Sequence, residues 1–175
     1  TKLSFGTEFT DHMFVMDYNP EEGWHNAQIL PYGPIELSPA AMVFHYAQET
    51  FEGLKAYRLA DGSIQFFRPY ENARRLNRSN ERMCIPAIDE EVFIEALRAL
   101  VEVDKDWVPD AEGTSLYIRP FVFATDPYVG VRVSNSYKFM IILSPVGAYY
   151  ATGLQPTHMY VEDQYARTVR DGTEE

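Results

Sequence analysis

Residues 51–79, FEGLKAYRLADGSIQFFRPYENARRLNRS, constrain the fold more than any other stretch. Two apolar-rich runs, Leu54 to Leu59 and Ile64 to Arg68, flank Ala60-Asp61-Gly62-Ser63. The Asp-Gly pair supplies a tight turn, because glycine enters positive φ without steric cost. Pro69 then fits a first helical turn, where a missing N–H leaves nothing unsatisfied. This order predicts a hairpin that aims a helix, and the helix carries Arg74, Arg75 and Arg78. In a chain of net charge −11, with 15 basic against 26 acidic residues, a local basic cluster invites an anion.

The same charge balance excludes partners that are themselves polyanions. Phosphate backbones and anionic lipid surfaces are repelled, so neither nucleic acid nor a membrane surface is expected. No run approaches the roughly 18 apolar residues of a membrane helix. The opening Thr1-Lys2-Leu3-Ser4-Phe5 lacks the pattern of a signal peptide, and a cytoplasmic protein is expected. Cys84, the single cysteine, excludes an internal disulfide and reads as a small buried apolar residue just after the basic helix. The histidines, His12, His25, His45 and His158, lack metal-ligand spacing. With 175 residues the chain is long enough for a real core. A composition shift after Gly147 suggests an α+β domain over residues 1–150 and, over 151–175, a linker leading into a truncated second domain.

Along the chain, Phe5, Phe9, Phe14, Val15 and Met16 suggest a first strand, Tyr18 to Gly23 a turn, and Trp24 to Tyr32 a second strand. Ser38 before Pro39 suggests the N-cap of a short helix running through Tyr46. Asp89, followed by Glu90 and Glu91, caps the clearest helix, whose stripe is Val92/Phe93, Ala96/Leu97 and Leu100/Val101. Ser115 to Ala124 reads as a strand, with Pro120 implying an edge or a bulge. Lys138 to Leu143 reads as a strand buried on both faces, and Thr157 to Val161 as the start of another. The fold class is α+β, a small mixed or antiparallel sheet flanked by helices.

Period two along the 115–124 strand places Tyr117, Arg119, Phe121 and Phe123 on one face, opposite Leu116, Ile118 and Val122. An arginine on an apolar strand must be paired. Spacing alone favours an internal ion pair with one of the many acids; the alternative is a bound carboxylate, whose geometry guanidinium donors match. For the helix arginines the plain reading is a solvated face, on which Arg75 and Arg78 share a side.

Seven segments, in order, carry a resemblance: Phe5-Gly6-Thr7 with Phe9-Thr10-Asp11-His12-Met13, His45-Tyr46-Ala47, Phe51-Glu52-Gly53-Leu54-Lys55-Ala56, Asp106-Trp107-Val108-Pro109, Ser115-Leu116-Tyr117-Ile118-Arg119-Pro120 and Ser144-Pro145-Val146-Gly147. The chain resembles the first half of the branched-chain amino acid aminotransferases, fold type IV enzymes that use pyridoxal 5'-phosphate. The resemblance implies that Arg75 holds the cofactor phosphate and that Tyr117 and Arg119 line the substrate site. It implies that Tyr46, Phe51 and Tyr149 wall the pocket for an aliphatic side chain, Tyr46 reaching the neighbouring subunit's site. Phe5, Lys55, Val129 and Val131 fall near the pocket by the same resemblance. Substrates would be branched-chain amino acids and 2-oxo acids, and the assembly a homodimer. The Schiff-base lysine of such enzymes aligns with none of Lys2, Lys55, Lys105 or Lys138 and would follow Glu175, so the chain by itself is expected to be inactive. Two alternatives stand beside this reading. One is another enzyme of the fold type, a D-amino acid aminotransferase or an aminodeoxychorismate lyase, and the other a non-catalytic dimerisation module.

Overall fold

The computed structural model describes residues 3–147, 156 and 158–162. Tyr149 and the boundary between residues 150 and 151 lie outside them. The described part is organised by a seven-stranded sheet in which every pairing is antiparallel. The hairpin that organises the sequence forms as its turn chemistry requires. β4 (Leu54–Arg58) pairs with β5 (Ile64–Phe66), and Gly62 takes φ 83° in the turn. The Asp61 carboxylate accepts from the Ser63 N–H (2.9 Å) and hydroxyl (2.6 Å), closing that turn. Pro69 then opens α2 (Pro69–Arg82), with Arg68 in the left-handed region just before it.

β1 (His12–Asn19) and β2 (Gly23–Pro31) form a second hairpin, while β3 (Glu49–Phe51), β6 (Ser115–Ala124) and β7 (Tyr137–Val146) complete the sheet. The strand order is β2-β1-β7-β6-β4-β5, and β3 continues the β4 side of β6. α3 (Glu90–Val103) is capped as its sequence predicts, the Asp89 carboxylate accepting from the N–H groups of Glu91 (2.8 Å) and Val92 (3.2 Å). Ala73 and Leu76 of α2 join Phe93, Leu97 and Leu100 of α3 in one core with Leu116, Ile118, Val122 and Phe139 of the sheet. On the opposite face Met13, Val15, Phe123 and Met140 form a smaller cluster.

Several expectations are corrected. The first strand begins at His12, and Phe5 and Phe9 precede it. The helix after Pro39, α1 (Met42–Tyr46), ends at Tyr46 as expected but is not capped by Ser38, which closes a separate turn, its hydroxyl accepting from the Ala40 N–H (3.2 Å). Val92 lies on the solvent side of the α3 stripe, at 36% exposure. Cys84 is exposed, at φ 55° where the chain turns away from α2. Residues 158–162 are exposed and form no strand. Pro120 sits in a central strand, not at an edge. Its carbonyl accepts from the Glu52 N–H (2.9 Å). Because the N–H and C=O of a strand residue point the same way, its missing donor faces the break between β3 and β4.

Candidate functional site

That break, Glu52-Gly53, is where the candidate residues converge. β3 and β4 both pair with β6, but the ladder stops at Phe51↔Phe121 and resumes at Leu54↔Ile118. Glu52 turns its side chain inward toward α2 and is only 4% exposed. A buried carboxylate requires partners, and Glu52 has four donors. Arg75 grips it through Nε (2.6 Å) and Nη2 (2.9 Å), while Asn72 Nδ2 (2.9 Å) and the Gly53 N–H (3.3 Å) complete the shell. Asn72 and Arg75 are three residues apart, so one face of α2 supplies both. The two-pronged grip fixes the plane of the guanidinium, yet half of the Arg75 side-chain surface remains exposed. Its neighbour Arg74 pairs instead with Glu71 and Glu90.

Arg119 comes to the same break from the other face of β6. Its Nη2 donates to the Tyr117 hydroxyl (2.8 Å), its guanidinium lies 4.4 Å from the centre of the Phe51 ring, and Phe5 packs on Tyr117 at 4.8 Å between ring centroids. The cation is thus held by a neutral hydroxyl and an aromatic face, an arrangement worth about 0.5–2 kcal/mol. The ion pair that spacing favoured does not form: Arg119 takes part in none of the ion pairs among the described residues. Lys55 stands opposite Tyr117 in the β4–β6 register and shares its face, and Ser144 stands opposite Tyr117 on the β7 side. The Ser144 hydroxyl is buried and has no hydrogen-bond partner among the described residues.

Tyr46 and Val129 meet elsewhere, the Tyr46 hydroxyl donating to the Val129 carbonyl of its own chain. In that loop the Tyr128 ring folds back over Gly130 and beneath Arg132, whose guanidinium is 4.3 Å from the ring centre and also binds Asp126 (2.6 Å). Val131 projects outward at 89% exposure. Sequence reasoning assigned no role to Glu52, Gly53 or Asn72. An acid followed by glycine inside an otherwise apolar strand pair was the available signal. Cavities of about 420 and 570 Å³ lie along α2 and α3, lined by residues such as Asn77 and Ile85 or Tyr70 and Val101, and include neither Arg75 nor Arg119. Among the described residues no three His, Cys, Asp or Glu side chains gather as for a metal, and no helix is long and apolar enough to cross a membrane.

No protein-family model matches the chain. It is 57% identical over 172 residues to branched-chain-amino-acid aminotransferase 2 of Bacillus subtilis, covering 98% of this chain and 47% of that protein. Its relatives are branched-chain aminotransferases. The transaminase 1 of the same organism is 58% identical over 173 residues, and the aminotransferase of Mycolicibacterium smegmatis 56% over 170. The chain spans about half the length of these curated relatives. Among solved structures, the branched-chain aminotransferase of Thermoproteus uzoniensis with norvaline superposes with a TM-score of 0.64 at 20% identity, over 80% of this chain and 43% of that one. The Escherichia coli branched-chain aminotransferase gives 0.62 at 22% identity, covering 80% of this chain and 41% of that one. At such identity these structures show the shared fold, α+β with a curled antiparallel sheet.

Proposed function

We propose that the chain forms the amino-terminal half of a branched-chain aminotransferase, which moves an amino group between leucine, isoleucine or valine and 2-oxoglutarate. The observation that carries this reading is Arg119, a cation held in place by Tyr117 and Phe51 with no acidic partner among the described residues, as a carboxylate subsite requires. In the proposed site Arg119 and the Tyr117 hydroxyl bind the carboxylate of the amino or 2-oxo acid. Phe51, Phe5 and, outside the described residues, Tyr149 wall the aliphatic side chain. Such walls separate substrates by about 1–3 kcal/mol per methylene.

The residues present fit pyridoxal 5'-phosphate. The Arg75 guanidinium is fixed in plane by buried Glu52 while half of its side chain stays exposed, a geometry suited to an external phosphate. When bound, the cofactor supplies the electron sink that transamination needs. Two solved branched-chain aminotransferases support the choice of cofactor, that of Thermobaculum terrenum in its pyridoxal-phosphate form and another with pyridoxamine 5'-phosphate. Within the described residues Lys105 is held by Glu102 and Lys138 by Asp17; Lys55 shares the face of Tyr117. On this proposal the chain contributes the phosphate and carboxylate subsites, and the cofactor-linked lysine is none of Lys55, Lys105 and Lys138. A cytoplasmic homodimer is the proposed setting, with Tyr46, Val129 and Val131 presented toward the partner's pocket.

The test is to mix the chain with pyridoxal phosphate, reduce with borohydride and measure intact mass, with leucine and 2-oxoglutarate turnover assayed alongside. No stoichiometric adduct and no turnover are expected. A specific adduct on Lys55 accompanied by turnover would overturn the half-site account.

A further inference from the structure

We infer that the two-residue break Glu52-Gly53 is a positioning element that aims both arginines of the proposed site, Glu52 holding Arg75 and Gly53 admitting the Tyr117 hydroxyl that holds Arg119. The inference rests on the reading of Arg75 as a phosphate ligand and Arg119 as a carboxylate ligand. It adds how one short interruption of a strand sets two subsites on opposite faces of a sheet.

A carboxylate next to an anion subsite repels the anion, and at 4% exposure Glu52 is screened little by solvent. What it provides is orientation. Arg75 is a long side chain with several rotatable bonds, and the contacts from Nε and Nη2 hold its plane where α2 alone would leave it to rotate. Asn72 and the Gly53 N–H hold the carboxylate in turn. Because charge and position act in opposite directions here, a variant that keeps the charge and moves the carboxylate isolates position.

The case for Gly53 is steric. Its φ is not in the left-handed region occupied by Gly6, Gly23, Gly62 and Gly113, so backbone conformation does not demand glycine. Close approach does. A Cβ at this position would collide with the Tyr117 hydroxyl and lie 3.2 Å from Tyr117 Cζ. Any side chain there displaces the oxygen that accepts from Arg119 Nη2 at 2.8 Å and Nε at 3.3 Å. Glycine is thus required by the tyrosine, and the tyrosine by the arginine.

The experiment follows the arginine Nε–H resonances of the ¹⁵N-labelled 175-residue chain during titration with pyridoxal phosphate and, separately, with 4-methylpentanoate. E52D, which withdraws the carboxylate by about one C–C bond (~1.5 Å), should weaken the phosphate response of Arg75 about tenfold or more and change the carboxylate response of Arg119 by less than about twofold. G53A should do the reverse. G53A/Y117F removes the oxygen the new methyl would strike; it should regain melting temperature lost in G53A without regaining carboxylate affinity, and it serves as the reading if G53A does not fold. Equal loss of both responses in each variant, or loss of neither, would overturn the inference and leave the break a purely structural feature. No response of Arg75 or Arg119 in the unsubstituted chain would overturn the assignment of the subsites themselves, and the inference with it.

Discussion

Asp17 and Lys138 face each other across β1 and β7, and their pair makes stability depend on acid. Burial pushes the Asp17 carboxyl up, but hydrogen bonds from Lys138 and Asn26 and the charges of Lys138 and His25 together hold it below its ordinary value of 3.8. A carboxyl depressed in the folded state contributes stability that is present above its unfolded value and lost as pH falls through its folded value. K138M should therefore be less stable than the unsubstituted chain at neutral pH, and the gap should narrow below pH 3.8, as urea midpoints across that range would show. Single residues divide sharply in how far sequence exposes them. The outward face shared by Tyr117 and Arg119 was legible because period two fixes it once Ser115 to Ala124 is read as a strand. Glu52 was not legible as a buried residue, since one acid in an apolar stretch carries no period and its four partners come from α2 and its own neighbour. The exposure of Cys84 was hidden for a related reason: the left-handed turn that turns it outward leaves no pattern in composition.

Elements were readable where local chemistry fixes them and obscure where tertiary pairing does. The β4–β5 hairpin, the Pro69 start of α2 and the Asp89 cap of α3 each depend on a few adjacent residues, and each is where those residues put it. D89A should remove two cap hydrogen bonds at once, costing about 1 kcal/mol and lowering the melting temperature by about 2–4 °C, with the pyridoxal-phosphate response unchanged because Asp89 is not among the hydrogen-bond partners of Glu52 or Arg119. A calorimetric scan checks the first part and the titration the second. The start of β1 and the start of α1, by contrast, are decided by which backbone lies alongside. β3 is the instructive case, three residues long and separated from β4 by a break that exists because Pro120 brings no donor to meet it. Proline in β6 was correctly taken as a ladder fault; its location, opposite the residues that hold Arg75, required the register.

At the scale of the whole molecule, Phe44, Val129 and Val131 stand between 62% and 89% exposed, on α1 and the loop that Tyr46 holds. If this side faces a second copy, as the proposed homodimer requires, sedimentation velocity should show concentration-dependent association, and V129D/V131D should shift it toward monomer; a monomer at high concentration would count against that assembly. The strand order carries a separate consequence, for time. β7, the latest strand among the described residues, lies between β1 and β6, joining the first hairpin to the rest of the sheet. Pairing residue 14 with residue 141 closes a very long loop before any sheet contact compensates for it. Until the ribosome has released β7, the β1–β2 hairpin and the β4–β5–β6 portion each keep an open edge, and edges of that kind recruit other chains. Refolding should accordingly be slow for a chain of this length, with a rate set by β7 docking and insensitive to D89A, and chains interrupted ahead of Tyr137 should aggregate.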